Sequence, residues 1–183
     1  MSGNRPPGLQ FRLLRPEDSL TELTSLLHRA YSGLAEMGFR YLASHQSEEV
    51  TAERVATGEC VVGVLDGRLV ATITLVPAGV LNGTPWYERP DVAVIKQLAV
   101  EPVLQSRGIG SSLMDRMERR AAEWGAAEVA VDTAEGAEHL IRWYEQRGYR
   151  HVGYADFRPT TNYRSVVLSL ALRSTTDREG RVS

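Results

Sequence analysis

The chain has 183 residues, of which 43% are hydrophobic and 24% charged, and this composition fits one ordinary globular domain. Its net charge of −2 argues against a surface that coats nucleic acid, so we expect no nucleic-acid partner. Cys60 is the one cysteine and the four histidines lack metal-ligand spacing, so neither a disulfide framework nor a metal site is expected.

The two ends of the chain are polar and lack helical or strand periodicity. We expect a flexible N-terminus over residues 1–8, a single domain over residues 9–173 and a disordered tail over residues 174–183. No stretch approaches about 18 consecutive apolar residues, and residues 1–8 lack the apolar run of a signal peptide. The sequence therefore predicts a cytoplasmic protein with no membrane partner.

The first half of the chain predicts two helices and a hairpin. Ser19 and Glu22 have the spacing of a capping box, and the leucines that follow recur with helical periodicity. A helix should therefore begin here and end near Tyr31, before Gly33. Asp66-Gly67 is the signal of a type I′ turn between two β-prone runs. The predicted elements are a strand at 11–14, helices at 20–31 and 47–57, and hairpin strands at 60–65 and 68–76.

The second half of the chain, after a loop at 77–90, predicts a different order of elements. A strand, a helix and a further strand within about 40 residues indicate a parallel crossover, and the hairpins at both ends indicate antiparallel additions. The sequence therefore predicts an α/β fold with a mixed sheet. The predicted elements are strands at 91–100, 128–133, 149–157 and 163–172 and helices at 110–124 and 137–147.

The segment Gln105-Ser106-Arg107-Gly108-Ile109-Gly110 lies between a predicted buried strand and a predicted helix. A helix N-terminus exposes unpaired N–H groups and about half a positive charge, and glycines let the backbone approach an anion closely. Arg107 can add direct charge, so a pyrophosphate is the expected ligand. A P-loop is excluded because no lysine follows Gly110, and a dinucleotide fingerprint because Leu113 occupies its third glycine position. From these residues alone, a tight turn without a ligand remains the alternative.

Two motifs together resemble a known family. Gln105-x-x-Gly108-x-Gly110 matches the Gln/Arg-x-x-Gly-x-Gly/Ala signature of the GCN5-related N-acetyltransferases, the GNAT superfamily. Downstream, a helix that ends in Tyr144-x-x-x-Gly148-Tyr149 resembles the second cofactor segment of that family. The resemblance covers residues 11–172 and implies the GNAT fold. That fold has a mixed, mostly antiparallel sheet of about six or seven strands with about four helices, and two parallel strands splay apart at its acetyl-CoA site.

The resemblance implies where acetyl-CoA would bind as co-substrate. The pantetheine arm would pair with the backbone of Leu98, Ala99 and Val100, and one N–H group there would polarise the acetyl carbonyl. Tyr144 would lie near the sulfur and protonate the departing thiolate. Relatives often carry an asparagine where this chain has Ala137, so one contact to pantetheine is expected to be missing or supplied otherwise. The pyrophosphate would bind the N–H groups of Gln105, Ser106, Arg107, Gly108, Ile109, Gly110 and Ser111.

The acceptor amine must lose a proton before it attacks, because only its neutral form is a nucleophile. An alkylamine with a pKa of about 10.4 is roughly 0.1% neutral at pH 7.4. The central strand has no carboxylate between Val92 and Val100, so a base must come from elsewhere or act through water. Asp132, at a strand end facing the cleft, is the candidate base. Glu36, Glu88 and Asp156 are the alternatives.

Aromatic residues are the candidates for the acceptor pocket, because in relatives the same two regions form its walls. They are Tyr31, Phe39 and Tyr41 in the first helix and the segment after it, and Trp86 and Tyr87 in the loop before the central strand. We expect an N-acetyltransferase that moves the acetyl group of acetyl-CoA to a primary amine of a small molecule, by direct attack in a ternary complex. The alternatives are a non-catalytic acyl-CoA sensor and a protein or peptide N-acetyltransferase. The resemblance also admits a homodimer, since many relatives are dimers.

Overall fold

One seven-stranded sheet organises residues 5–172, the part of the chain that this computed structural model describes. Its strand order is β1-β2-β3-β4-β5-β7-β6, in which β4 and β5 are parallel and every other neighbouring pair is antiparallel. The predicted mixed, mostly antiparallel α/β fold is confirmed. The strands are β1 (Gln10–Leu13), β2 (Glu59–Leu65), β3 (Arg68–Val76), β4 (Val92–Val100), β5 (Glu128–Ala134), β6 (Arg150–Asp156) and β7 (Arg164–Ala171).

Most of the residues that the sequence predicts to form flexible ends lie outside the described part of the chain. Residues 1–4, which belong to the predicted flexible N-terminus, lie outside the described residues. The predicted tail at 174–183 also lies outside them. The single domain expected over residues 9–173 stays a prediction.

The first helix is longer than its sequence pattern predicts. Gly33 lies inside it, and the helix ends before Gly38, which has a left-handed φ of 91°. A glycine inside a helix costs about 1 kcal/mol relative to alanine, and the burial of Leu26 and Leu27 outweighs that cost. Among residues 5–172 no helix is long and apolar enough to cross a bilayer. The helices are α1 (Leu20–Glu36), α2 (Glu48–Ala56), α3 (Ile109–Glu123) and α4 (Glu138–Gln146).

The hairpin of β2 and β3 confirms the turn predicted from the sequence. Asp66 and Gly67 both have positive φ, 50° and 77°, as a type I′ turn requires. Leu65 pairs directly with Arg68 across the turn, so the loop has two residues. This local signal therefore fixes the register of the two strands on which α1 and α3 pack.

Helices α1 and α3 lie on opposite faces of the sheet. Side chains alternate along β2, so Val61 packs in the cluster that contains Leu113 of α3, whereas Val62 packs in the cluster that contains Leu26 of α1. Helix α4 adds Tyr144 to the cluster on the α3 face. A gap in this sheet would consequently be open to side chains from both layers.

Such a gap begins where β4 and β5 stop pairing. Residues 92–94 of β4 pair with residues 128–130 of β5, and neither strand pairs with the other beyond that point, although both continue. Strand β4 also bulges against β3, because Gln97 and Leu98 lie opposite one residue of β3 and Gln97 has a φ of 55°. The two parallel strands therefore diverge and leave a slot with unpaired backbone edges.

Candidate active site

A cavity of about 590 Å³ lies along the slot and extends to the N-terminus of α3. Among the residues predicted to bind the cofactor, only Arg107 is absent from its lining, and this side chain is exposed. Tyr31, predicted for the acceptor pocket, also lines this cavity. The structure thus brings together residues of β4, the loop and α4. The predicted cofactor-binding residues that line the cavity are Leu98, Ala99, Val100, Gln105, Ser106, Gly108, Ile109, Gly110, Ser111 and Tyr144.

The loop before α3 turns its backbone so that several N–H groups stay free. Ser106 and Gly108 both have left-handed φ values, 61° and 76°. Within residues 5–172, the N–H groups of residues 106–111 have no backbone acceptor, and Ser112 is the first to bond back, to the Gly108 carbonyl at 3.0 Å. The Gln105 side chain anchors the loop by donating to the Val100 carbonyl at 3.1 Å. Free N–H groups at a helix N-terminus form a concave anion site.

Tyr144 projects from α4 into the same cavity. Its side chain is 9% exposed and packs against the rings of Trp143 and Tyr149, at centroid distances of 5.0 and 5.6 Å. Burial raises the pKa of Tyr144 far above that of a free phenol, and neighbouring phenols and Asp132 add to the rise. The hydroxyl therefore stays protonated at neutral pH and can donate a hydrogen bond, and its raised pKa makes it a weaker acid than a free phenol.

Two other tyrosines bond to the unpaired edges of the slot. Tyr31 O–H donates to the Leu98 carbonyl of β4 at 3.1 Å. The Tyr41 hydroxyl accepts the N–H of Ala134 in β5 at 2.9 Å and shares a 2.7 Å hydrogen bond with Thr133. These bonds satisfy backbone groups that the diverging strands would otherwise leave unpaired. Tyr41 lies in the loop after α1, in the region that the sequence predicts for one wall of the acceptor pocket, and it lines both this cavity and a second one.

A second cavity, of about 550 Å³, adjoins the first. The two share five lining residues, which form a common wall. The rest of the second cavity is lined mainly by α2, β4 and residues 157–163. A ligand in one cavity and a ligand in the other would meet at this wall. Its members are Tyr31, Tyr41, Leu98, Asp132 and Tyr144.

Asp132 lies at the common wall with both carboxylate oxygens engaged. Its Oδ1 accepts from Tyr87 O–H at 2.7 Å and from Lys96 Nζ at 3.4 Å, and its Oδ2 accepts from Ser165 at 3.1 Å. Burial by itself would raise the pKa of this carboxyl. The Lys96 charge and the three hydrogen bonds outweigh that effect, and the pKa is lowered. Asp132 is therefore ionised at neutral pH and, with its low pKa, a weak proton acceptor.

Trp86 and Tyr87 line neither cavity. Tyr87 is 1% exposed and packs in the core below β4. It reaches the site through its hydrogen bond to Asp132 and through its ring, whose centroid lies 5.2 Å from Lys96 Nζ. Trp86 is half-buried beneath the Arg89 guanidinium, which lies 4.4 Å from the centre of its indole. The alternative bases Glu36, Glu88 and Asp156 also line neither cavity.

This geometry agrees with comparisons to known proteins. Residues 20–149 match the acetyltransferase (GNAT) family. The chain is 30% identical over 155 residues to the S-(2-succino)cysteine N-acetyltransferase of Bacillus subtilis (strain 168), covering 82% of this chain and 88% of that one. The chain belongs to the GNAT family and is an acetyltransferase.

Solved structures of low identity show the same fold. A protein from Pyrococcus horikoshii OT3 superimposes with a TM-score of 0.70 at 17% identity, covering 90% of this chain and 99% of that one. A Bacillus subtilis acetyltransferase in complex with CoA superimposes with a TM-score of 0.64 at 21% identity, with the same coverage of 90% and 99%. The predicted family and fold are confirmed.

The residues of the first cavity fit coenzyme A. The free N–H groups of residues 106–111 suit a diphosphate, and the open edge of β4 suits an amide-bearing arm that adds to the sheet like a strand. Tyr144 lies on the wall where the sulfur end of such a molecule would arrive. Bound acetyl-CoA would supply an acetyl thioester at that wall.

Replacing Gly108 by valine should weaken CoA binding at least about tenfold. A branched residue at this left-handed φ costs about 1–2 kcal/mol, and its side chain would crowd the free N–H groups. Isothermal titration with CoA measures the change. Gly125→Val is the matched control, because Gly125 has a φ of 82° at the other end of α3 and has open space around it. It should lower stability but leave the Kd within about twofold. A folded Gly108→Val protein with normal affinity would contradict the loop as the phosphate site.

Proposed function

We propose that this protein transfers the acetyl group of acetyl-CoA to the primary amine of a small molecule, in a ternary complex. The observation that carries the proposal is the wall shared by the two cavities, where a thioester in one and an amine in the other can come into contact. The similarity to an S-(2-succino)cysteine N-acetyltransferase supports a small amine-bearing acceptor.

The residues at the shared wall have complementary roles in this reaction. The amine lone pair attacks the thioester carbon, a C–N bond forms, and the C–S bond breaks as the thiolate leaves. An N–H group of β4 near Leu98 or Val100 stabilises the carbonyl oxygen. Tyr144, kept protonated by burial, donates a hydrogen bond to the thiolate as the C–S bond breaks. The same burial makes the thiolate more basic than it is in water, so the proton passes to sulfur and Tyr144 regains one from water. The proton that the amine loses passes to water in the second cavity.

An acceptor-sized cavity favours this enzyme over a non-catalytic acyl-CoA sensor. A sensor needs room for the cofactor alone, whereas this chain has about 550 Å³ of further space on the other side of Tyr144. The polar and charged groups around that space, including Arg54 and Lys96, suit a small polar molecule.

The test is a thiol-release assay with acetyl-CoA and a panel of acceptors. The panel contains simple amines, amino acids, S-(2-succino)cysteine, aminoglycosides and short peptides. We expect thiol release with a small amine-bearing molecule and formation of its N-acetyl product, detected by mass spectrometry. Tight CoA binding without release for any acceptor would favour the sensor, and release with peptides alone would favour a protein acceptor.

Tyr144→Phe should lower kcat by about 10- to 100-fold and leave the Kd for CoA within about twofold. The loss is modest for an acid catalyst because a thiolate, with a pKa of about 8.5, is a tolerable leaving group. Tyr149→Phe is the matched control, since this buried tyrosine bonds to Glu118 at 3.1 Å and lines neither cavity. It should change stability but not kcat. An unchanged kcat in Tyr144→Phe would show that Tyr144 is not the acid.

Asp132→Asn should not remove the fall of kcat/KM at low pH, the acidic limb of its pH profile. The lowered pKa of Asp132 means that this group is already ionised at neutral pH and does not titrate where an amine acceptor gains its proton. The limb should instead move with the pKa of the acceptor, as a series of amines of graded basicity will reveal. Loss of the limb in Asp132→Asn would establish Asp132 as the base predicted from the sequence. Ser165→Ala, which removes one hydrogen bond to the carboxylate, serves as a control for altered packing.

A further inference from the structure

Arg54 lines the second cavity without an acidic partner. Among residues 5–172, the ion pairs of the structure do not include this guanidinium. Its hydrogen-bond acceptor is the neutral amide oxygen of Gln46. The other cations of the cavity are both paired, Lys96 with Asp132 and Arg158 with Asp156. Burial lowers the pKa of Arg54, and the charge of Asp132, which is already paired with Lys96, offsets this desolvation cost only in part.

A buried polar network holds Arg54 in this position. The Thr51 hydroxyl accepts from the Thr24 hydroxyl and from Gln46 Nε2, each at 2.7 Å, and donates to the Ser47 carbonyl at 3.0 Å. Gln46 is 2% exposed and Thr51 is fully buried, so the amide that receives Arg54 cannot rotate freely. The network connects α1, α2 and the turn before α2, and it fixes the amide oxygen to which Arg54 donates.

The charges around the cavity leave Arg54 as a binding group for an anion. Lys96 is neutralised by Asp132, and Arg158 by Asp156. Glu53 also lines the cavity, but its side chain is exposed and forms no ion pair with Arg54. A planar guanidinium binds a carboxylate through two parallel hydrogen bonds.

The buried amide of Gln97 belongs to the same cavity. Its Nε2 and Oε1 atoms have no hydrogen-bond partner among the described residues, although the side chain is only 4% exposed. These two atoms have almost no accessible surface, so the amide lies beneath the cavity wall and is not a group that a ligand in the cavity can reach. Arg54 is therefore the group on which binding of an anionic ligand in this cavity depends.

We propose that the acceptor carries a carboxylate, that Arg54 binds this carboxylate, and that the amine is thereby directed to the wall formed by Leu98 and Tyr144. The inference rests on the proposed function, because it names the class of molecule that enters the second cavity. The substrate class is amino acids and related amine-bearing acids. Asp132 also lines this cavity, but its charge is compensated by Lys96, so Arg54 sets the orientation of such a molecule.

The test compares two acceptors that share a shape and differ in charge, S-carboxymethyl-L-cysteine and its diamide. Binding to the CoA complex is measured by isothermal titration, and turnover by thiol release. The wild-type protein should bind and acetylate the acid at least about thirtyfold better than the diamide. Arg54→Gln should lose that preference, with the acid weakened at least about thirtyfold and the diamide changed less than threefold. Arg54→Lys keeps the positive charge but lacks the two parallel N–H donors of the guanidinium. Its preference for the acid should therefore lie between those of the wild type and Arg54→Gln.

Arg158→Gln is the matched control, since this arginine lines the same cavity but is paired with Asp156. It should keep most of the preference, and an unchanged Kd for CoA confirms that each variant is folded. Equal use of acid and diamide by the wild type, or an equal loss on both in Arg54→Gln, would overturn the inference while leaving the proposed function intact. Failure of the wild type to bind either molecule would overturn it as well. Arg54-dependent binding of the acid without thiol release would instead contradict the proposed function.

Discussion

The early divergence of β4 and β5 is the constraint on which the rest of the site depends. The two parallel strands pair at only three positions, and their remaining edges face each other across a slot. Unpaired backbone groups are costly when buried, so a slot of this kind needs substitutes for the missing ladder. Tyr31 and Tyr41 supply two of them, by bonding to the Leu98 carbonyl and to the Ala134 N–H. The rest of the β4 edge stays available to a ligand that can hydrogen-bond like a strand.

The slot also allows side chains from both faces of the sheet to line the same wall. Tyr144 comes from the α3 and α4 face, whereas Tyr31 comes from α1 on the other face, and both line the two cavities. Without the gap, the sheet would separate these side chains. The two cavities attract anions through different groups. The free N–H groups before α3 attract anions in the first cavity, and Arg54 adds a positive charge to the second. A phosphate-bearing donor and a carboxylate-bearing acceptor are thus directed to opposite sides of one wall.

Short-range patterns predicted much of this fold, and long-range packing corrected the rest. The Asp66-Gly67 turn is encoded in adjacent residues, since its conformation depends on local backbone preference, and the loop between β4 and α3 lies where its glycines predict. The length of α1 was not predictable in this way. Gly33 is a weak local break, and the helix continues through it because its leucines are buried against the sheet.

The sequence by itself determined the order of the elements, the family, and the loop that opens α3, because each depends on residues close together in the chain. Only the tertiary structure decided which side chains meet at the site. Tyr87 was expected in the pocket but lies behind Asp132, 45 positions away in the chain. Arg54 has no signal in the sequence and lines the second cavity because α2 places it there. The physical reason is that strand pairing and helix packing, not local pattern, fix where distant side chains point and which of their charges remain uncompensated.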